Sequence, residues 1–244
     1  MLPADQDAYG RELYDYWQKG EGIEIIERDD GFITAAKDLP ARYFAPFEEW
    51  PEFEQKAMEY AQGRVLDVGS GAGRVPLYLQ SQGYEVLAID NSSLALEVCR
   101  QRGVEKTSPT PLKNVSKSLG KFDTIVMLGN NFGLLENRWQ AKRLLRRFQS
   151  MTYPEARIIA ESNDIYQTTE PAHLKYHQLN RNRGRLPGQI RLRVRHHQFS
   201  TPWFDYLMVC KEEMQDLLHG TGWCIHRFIN QADGPLYIAI IEKG

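Results

Sequence analysis

The sequence predicts an α/β fold built on a doubly wound, mostly parallel sheet, with an N-terminal helical cap before it and an antiparallel insertion near its end. Three observations predict it. A short apolar run, Val65-Leu66-Asp67-Val68, breaks directly into a glycine-rich turn and then a helix-like segment. Strand-like and helix-like segments go on alternating through five strands, the signature of parallel strands joined by right-handed crossovers. The chain then closes on two apolar runs around a turn. At 244 residues the length suits one such domain with appendages: a helical cap over 1–62 and a main domain over 63–244, with an insertion over 166–210.

The elements follow in order. From about Asp5 to Lys19, Tyr9, Leu13, Tyr16 and Trp17 recur at helical spacing and make an apolar stripe. Glu27 to Gly31 reads as a polar turn, and Trp50-Pro51 leads into a helix from Glu52 to Gln62 that stops at Gly63. After the first strand, Arg74 to Gln82 is a helix with Pro76 in its first turn, where proline is tolerated. Glu85 to Asp90 is the second strand, and Leu94 to Arg102 a helix stopped by Gly103. Thr107 to Lys121 holds two prolines and few long apolar side chains, so only a short strand near Val104 to Lys106 is expected there. Phe122 to Leu128 is a buried strand, Asn137 to Met151 an amphipathic basic helix and Arg157 to Glu161 another strand. Between Tyr166 and Cys210 the period changes to two, most visibly over Ile190-Arg191-Leu192-Arg193-Val194-Arg195, which predicts antiparallel strands. Lys211 to His219 is a helix, and Trp223 to Ile229 pairs with Leu236 to Ile241 as a closing hairpin.

Composition narrows the function. Thirty Lys and Arg against 32 Asp and Glu give a net charge of -2, so no global field draws the protein to nucleic acid or an acidic membrane. No apolar run approaches the ~18 residues that span a bilayer, and the first residues lack a signal peptide's basic and apolar regions. Three widely spaced cysteines make neither a disulfide framework nor a zinc motif, which fits a reducing cytoplasm.

The chemistry concentrates in Asp67-Val68-Gly69-Ser70-Gly71-Ala72-Gly73-Arg74, with Asp90 at the end of the next strand. Glycines let the backbone approach a ligand, the following helix offers free N–H groups, and a carboxylate beyond the second strand can accept from ribose hydroxyls. A nucleoside ligand is implied. The dinucleotide fingerprint needs glycine where this chain has Arg74. Asp67 also places negative charge where a pyrophosphate would gain nothing from it. A ligand carrying an ammonium and a sulfonium suits it better. Each acid alone could instead be a turn or helix cap, but their joint spacing with three glycines favours a cofactor site.

These residues resemble motif I of the class I S-adenosylmethionine-dependent methyltransferases. Asp90 is similar to that family's ribose-binding acid, Phe122 to Leu128 to its fourth strand, and the closing hairpin to its reversed last strand. The resemblance covers roughly residues 60–165 and 211–244. It implies a Rossmann-like seven-stranded sheet with a reversed last strand, S-adenosylmethionine as cofactor and S-adenosylhomocysteine as product. It also implies that Asp67, Gly69, Ser70, Gly71, Ala72 and Gly73 line the methionine part, with Asp90 at the ribose, Asn91 and Ser92 at the adenine edge, and Leu128 beside the cofactor. The acid that many members place after strand three is missing from Thr107 to Ser118.

The loop Leu128-Gly129-Asn130-Asn131-Phe132-Gly133 follows strand four, and ligands of such folds bind beyond the carboxyl ends of the strands. It lacks the motifs of amino-directed nucleic-acid methyltransferases and resembles the corresponding loop of some small-molecule N-methyltransferases. Asn131 and Glu161 are therefore the expected catalytic residues, and Asn130, Asn163 and Tyr166 the expected acceptor contacts. Arg191, Arg193 and Arg195 could hold RNA, although alternating arginines more often form the solvated face of a strand. No metal is expected: His173 and His177 are four apart but lack an evident third ligand. The other readings are an RNA methyltransferase, an NAD-dependent oxidoreductase and a non-catalytic adenosyl-ligand-binding regulator.

Overall fold

A computed structural model describes residues 1–37 and 39–244. The first 62 residues carry α1 (Ala8–Lys19), β1 (Glu24–Arg28), β2 (Ile33–Ala36), α2 (Leu39–Arg42) and α3 (Glu52–Met58). The alternating stretch follows as β3 (Val65–Val68), α4 (Arg74–Ser81), β4 (Val86–Asp90), α5 (Ser93–Gln101), β5 (Thr107–Pro109), β6 (Phe122–Met127), α6 (Arg138–Ser150) and β7 (Thr152–Asn163). The remainder is α7 (Pro171–Asn182), β8 (Gln189–His196), β9 (Phe199–Ser200), β10 (Phe204–Leu207), α8 (Lys211–Leu218), β11 (Trp223–Asn230) and β12 (Leu236–Lys243).

Seven strands make one sheet in the order β11-β12-β7-β6-β3-β4-β5. The β3–β4, β4–β5 and β6–β7 pairs are parallel, while β12 runs antiparallel to both β7 and β11. This is the predicted mostly parallel sheet with its reversed last strand. A second sheet, in the order β10-β8-β1-β2 with β9 on β8, joins cap and insertion strands.

The chain folds as two compact units: Met1–Trp50, Arg64–Val115 and Leu192–Phe204 form the first, and Pro51–Gly63, Ser116–Arg191 and Asp205–Gly244 the second. In the first, α1 begins because the Asp7 side chain accepts from Gly10 N at 3.1 Å, and it ends at Gly20, whose φ of 73° suits glycine alone without cost. Its Leu13 packs with Ala72, Ala95 and Val98, walled by Tyr9, Tyr14, Tyr43 and Phe44. In the second, β6 and β12 are almost wholly buried. Leu144, Leu145 and Phe148 of α6 lie buried in the same unit, where Trp223 Nε1 donates to the Leu145 carbonyl at 2.8 Å.

The expected turn at Glu27 to Gly31 forms the tip of a β1–β2 hairpin whose strands were not expected, with Glu24 pairing with Ala36 and Glu27 with Ile33. The insertion is not strand throughout. Its first half is α7, with Pro171 in the first turn and the Glu170 side chain accepting from Ala172 N at 3.3 Å. β5 lies three residues later than expected, and β7 starts at Thr152 rather than Arg157.

The arginines of β8 have local partners. Arg193 and Arg195 both reach Glu27, at 2.8 and 3.2 Å, and Arg191 reaches Asp205 at 3.2 Å. Arg193 also lies over Trp203, 4.7 Å from its ring centroid.

Candidate functional site

In the first unit, β3 delivers its chain into a turn with three left-handed glycines, Gly69 (φ 72°), Gly71 (φ 53°) and Gly73 (φ 82°). They are needed for different reasons. A Cβ on Gly71 would lie 2.9 Å from the Tyr9 hydroxyl, so this glycine lets Tyr9 of α1 approach the turn closely. A Cβ on Gly73 would press on Val104 at 2.9 Å and Cys99 at 3.0 Å, so that glycine lets α5 pack close. Ala72 turns into the α1–α5 core, and Cys99 Sγ donates to the Gly71 carbonyl at 3.2 Å.

Asp90 ties the turn to the next helix. Its Oδ2 accepts from Gly71 N at 3.1 Å and its Oδ1 from Ser92 N at 2.9 Å. Burial raises its carboxyl to about 6, against these backbone donors. Asp67 is 2% exposed, and its Oδ2 has no hydrogen-bond partner among the described residues. Burial raises it to about 7, a Ser70 hydrogen bond opposes that, and Asp90 adds to it. Ser92 caps α5, accepting from Ala95 N and donating to Asp7, each at 2.9 Å. Asn91 is exposed, and its carbonyl accepts from Leu2 N at 3.1 Å.

The sequence reading missed the residues above this turn. Tyr9 and Tyr43 meet edge to face with centroids 5.7 Å apart, and the Tyr43 hydroxyl donates to Glu24 Oε2 at 2.7 Å. Glu12 is fully buried, and neither of its carboxylate oxygens has a hydrogen-bond partner among the described residues. Burial, reinforced by Glu24, raises Glu12 to about 8; burial also raises Glu24, against the Tyr43 hydrogen bond. The signal was present, because Glu12 lies three residues from Tyr9 and next to Leu13 on the apolar stripe, where a charge is out of place. Arg102, half-buried nearby, donates to the carbonyls of Ala72, Tyr43 and Phe44. Buried acids around the glycine turn, with that cation committed to backbone, favour a positively charged ligand.

In the second unit the loop after β6 is tightly held. Leu128 is buried, Asn130 takes a left-handed φ of 61° with its Oδ1 buried and unpartnered, and Asn131 opens a 3-10 turn over Asn131–Leu135. Glu161, at 2% exposure, accepts from Gly129 N through Oε2 at 2.7 Å. The Tyr206 hydroxyl donates to the Asn130 carbonyl at 2.6 Å, and a Cβ on Gly133 would strike the Tyr206 ring at 2.3 Å. Asn163 ends β7 opposite Leu236, and Tyr166 donates to Glu213 at 2.9 Å. The histidines that come near a carboxylate in a ligand-like group are not those the spacing suggested: His196 and His197, with Asp15, bring three ligand atoms within 4.8 Å of one another.

Residues 65–155 match the family model described as a methyltransferase domain. A glycine/sarcosine N-methyltransferase from Halorhodospira halochloris is 28% identical over 141 residues, 55% of this chain and 53% of that protein. The chain thus spans about half the length of this curated relative. A SAM-dependent methyltransferase from Bacteroides fragilis, solved in complex with S-adenosyl-L-homocysteine, is similar with a TM-score of 0.84 and 24% identity, covering 100% of this chain and 98% of that one. The CcbJ methyltransferase from Streptomyces caelestis is similar with a TM-score of 0.64 and 12% identity, covering 97% of this chain and 98% of that one. Glycine turn, sheet order and family match agree: residues 65–155 are similar to a methyltransferase domain, and the chain has the fold of the S-adenosylmethionine-dependent methyltransferases it resembles.

Proposed function

We propose that this protein moves a methyl group from S-adenosylmethionine to a nucleophile on a small-molecule acceptor. The observation that carries the reading is the Asp67–Gly71–Asp90 arrangement. A buried carboxylate oxygen lacks a partner among the described residues, beside a glycine whose missing Cβ lets the Tyr9 hydroxyl come close to the turn. In this reading Asp67 and the turn Gly69 to Gly73 hold the methionine part, and Asp90 holds the ribose while continuing to brace Gly71 and Ser92. Asn91 and Ser92 follow at the adenine side, and Leu128, in the loop after β6, is the apolar residue assigned to the cofactor. When bound, the cofactor supplies an electrophilic methyl on sulfur. The protein's own part is to align the acceptor and exclude water.

Asn131 orients the acceptor, and Asn130, Asn163 and Tyr166 complete its side of the site. Because Glu161 Oε2 is engaged by Gly129 N, its supported part here is to position that loop. A small acceptor is favoured over RNA because Arg191, Arg193 and Arg195 are paired with Asp205 and Glu27. The name of the Halorhodospira relative, which gives it small amino acids as substrates, agrees. Three free thiols support a reducing compartment, the cytoplasm, and no helix among the described residues is long and apolar enough to cross a membrane.

The test is calorimetry with S-adenosylmethionine, S-adenosylhomocysteine and NAD, followed by an assay of S-adenosylhomocysteine release with pooled cell metabolites. Binding of both adenosyl ligands without NAD, and acceptor-dependent release, are expected. Tight NAD binding with no heat from either adenosyl ligand would remove the proposal.

A further inference from the structure

Glu12 and Glu24 have no place in cofactor binding as derived above. They are buried acids from different elements, α1 and β1, both in the first unit, and both surround Tyr9 and Tyr43. An acidic cluster alone says little, because neighbouring carboxyls can share protons. Here a second observation points outward to a ligand: Glu12 is wholly buried with two unpartnered oxygens, where native proteins leave few such atoms. A third relates the acids to the glycine turn. Tyr9 feels Glu24, Asp90 and Glu12 together, and its hydroxyl sits over Gly71, so the acids border the same space as the glycine turn.

We infer that Glu12 and Glu24, walled by Tyr9 and Tyr43, bind the ammonium head of an organic amine, which makes the acceptor an amine and the reaction an N-methylation. The assignment rests on the proposed methyl transfer. An ammonium offers several N–H donors to the two oxygens of Glu12 and to Glu24, and ring faces attract cations. Within the unit, the groups facing Glu12 are Glu24, Tyr9 and Tyr43; Arg102 is committed to three carbonyls, and Asp90 adds negative charge at Tyr9. None of these neutralises Glu12, and an arriving cation does.

The chemistry balances. An amine entering as R–NH3+ gives one proton to the Glu12 carboxylate, leaving R–NH2 and a neutral carboxyl. The nitrogen lone pair then forms the new N–C bond as the methyl C–S bond breaks, its electron pair staying on sulfur. The positive charge passes from sulfur to nitrogen, giving R–NH2+–CH3. The proton lost to water when the ammonium binds is the one proton that the reaction yields, and Glu12 is left protonated, as in the ligand-free protein, when the product leaves.

Ethylammonium is the head group shared by primary alkylamines, with ethanol and acetate as neutral and anionic controls of the same size. Titrated into the full-length protein at pH 7, it should bind at least tenfold more tightly than either control. Binding should release close to one proton, read from the heat in buffers of different ionisation enthalpy, because a protonated Glu12 ionises to meet the cation. E12Q should abolish the proton release and lower ethylammonium affinity at least tenfold, and E24Q should lower the affinity alone. S-adenosylhomocysteine affinity within twofold of wild type shows that each variant is folded. With methyl-tritiated S-adenosylmethionine and pooled metabolites, label should appear in the fraction retained by a cation exchanger. Equal affinity for ethylammonium and ethanol, unchanged proton release in E12Q, or label only in neutral or anionic fractions overturns the inference. So does magnesium binding that E12Q removes in a protein that ignores ethylammonium. Loss of S-adenosylhomocysteine binding alone would sink the methyltransferase reading while leaving an amine site in place.

Discussion

Asp90 shows how one side chain can be both scaffold and ligand contact, since each of its oxygens already accepts one backbone N–H and each retains a further lone pair. Asp90→Ala should therefore weaken S-adenosylhomocysteine binding by about 2 to 3 kcal/mol, roughly 30- to 150-fold, as measured by calorimetry. An unchanged dissociation constant would make it only a brace. Glu12 yields a pH prediction. Its folded carboxyl, raised to about 8, lies above the ordinary carboxylate range. The cost of ionising it is absent in mild acid, grows as pH climbs through neutrality and is complete above about 8. Glu12→Gln should thus match wild type in denaturant titrations near pH 4 and be more stable by at least about 1 kcal/mol near pH 8.5, without ligand. An equal difference at both values would mean that Glu12 titrates normally. The glycine turn and Asp90 were legible because spacing alone encodes them. Glu12, Glu24 and Tyr43 were not, because residues 12, 24 and 43 meet only once the β1–β2 hairpin and α2 have folded back on α1.

Among the elements, those whose burial is periodic along the chain were read closely: β3, α4, β4, α5, β6 and α6 lie within about two residues of expectation. The misses have local causes. β1 and β2 are mostly half-buried or exposed, so they carry no alternating apolar signal. α7 was absorbed into the two-residue rhythm of β8, although Glu170-Pro171 is a helix start in its own right. The loop after β6 is held by groups distant in sequence, Glu161 and Tyr206, which no local pattern announces. Tyr206→Phe removes the bond to the Asn130 carbonyl and should cost about 1 kcal/mol of stability. If that loop faces the acceptor, the variant should lower kcat several-fold while leaving S-adenosylmethionine affinity nearly unchanged. A variant with full turnover would separate the loop's rigidity from catalysis.

For the whole molecule, a net charge of -2 hides an uneven distribution, with acids buried in the first unit and arginines paired along β8. Wild-type protein should show no salt-sensitive RNA binding at micromolar concentration. Replacing Arg191, Arg193 and Arg195 together with Ala should lower stability, by leaving Glu27 and Asp205 without their cations, rather than abolish an affinity. Strong RNA binding whose salt dependence flattens in the triple variant would reverse this reading. Asp7 carries a further consequence. Its Oδ1 accepts from Gly10 N in the first turn of α1, while its Oδ2 accepts from the hydroxyl of Ser92 and lies 3.4 Å from Leu94 N at the start of α5. One carboxylate thus closes the amino ends of two helices distant in sequence. Neither end can fray without loosening the other, so amide hydrogens near Gly10 and Ala95 should exchange with deuterium at a common rate, as one cooperative opening. Asp7→Ala should accelerate both together, and a ligand that orders the cap helix should slow exchange in a helix that it never touches.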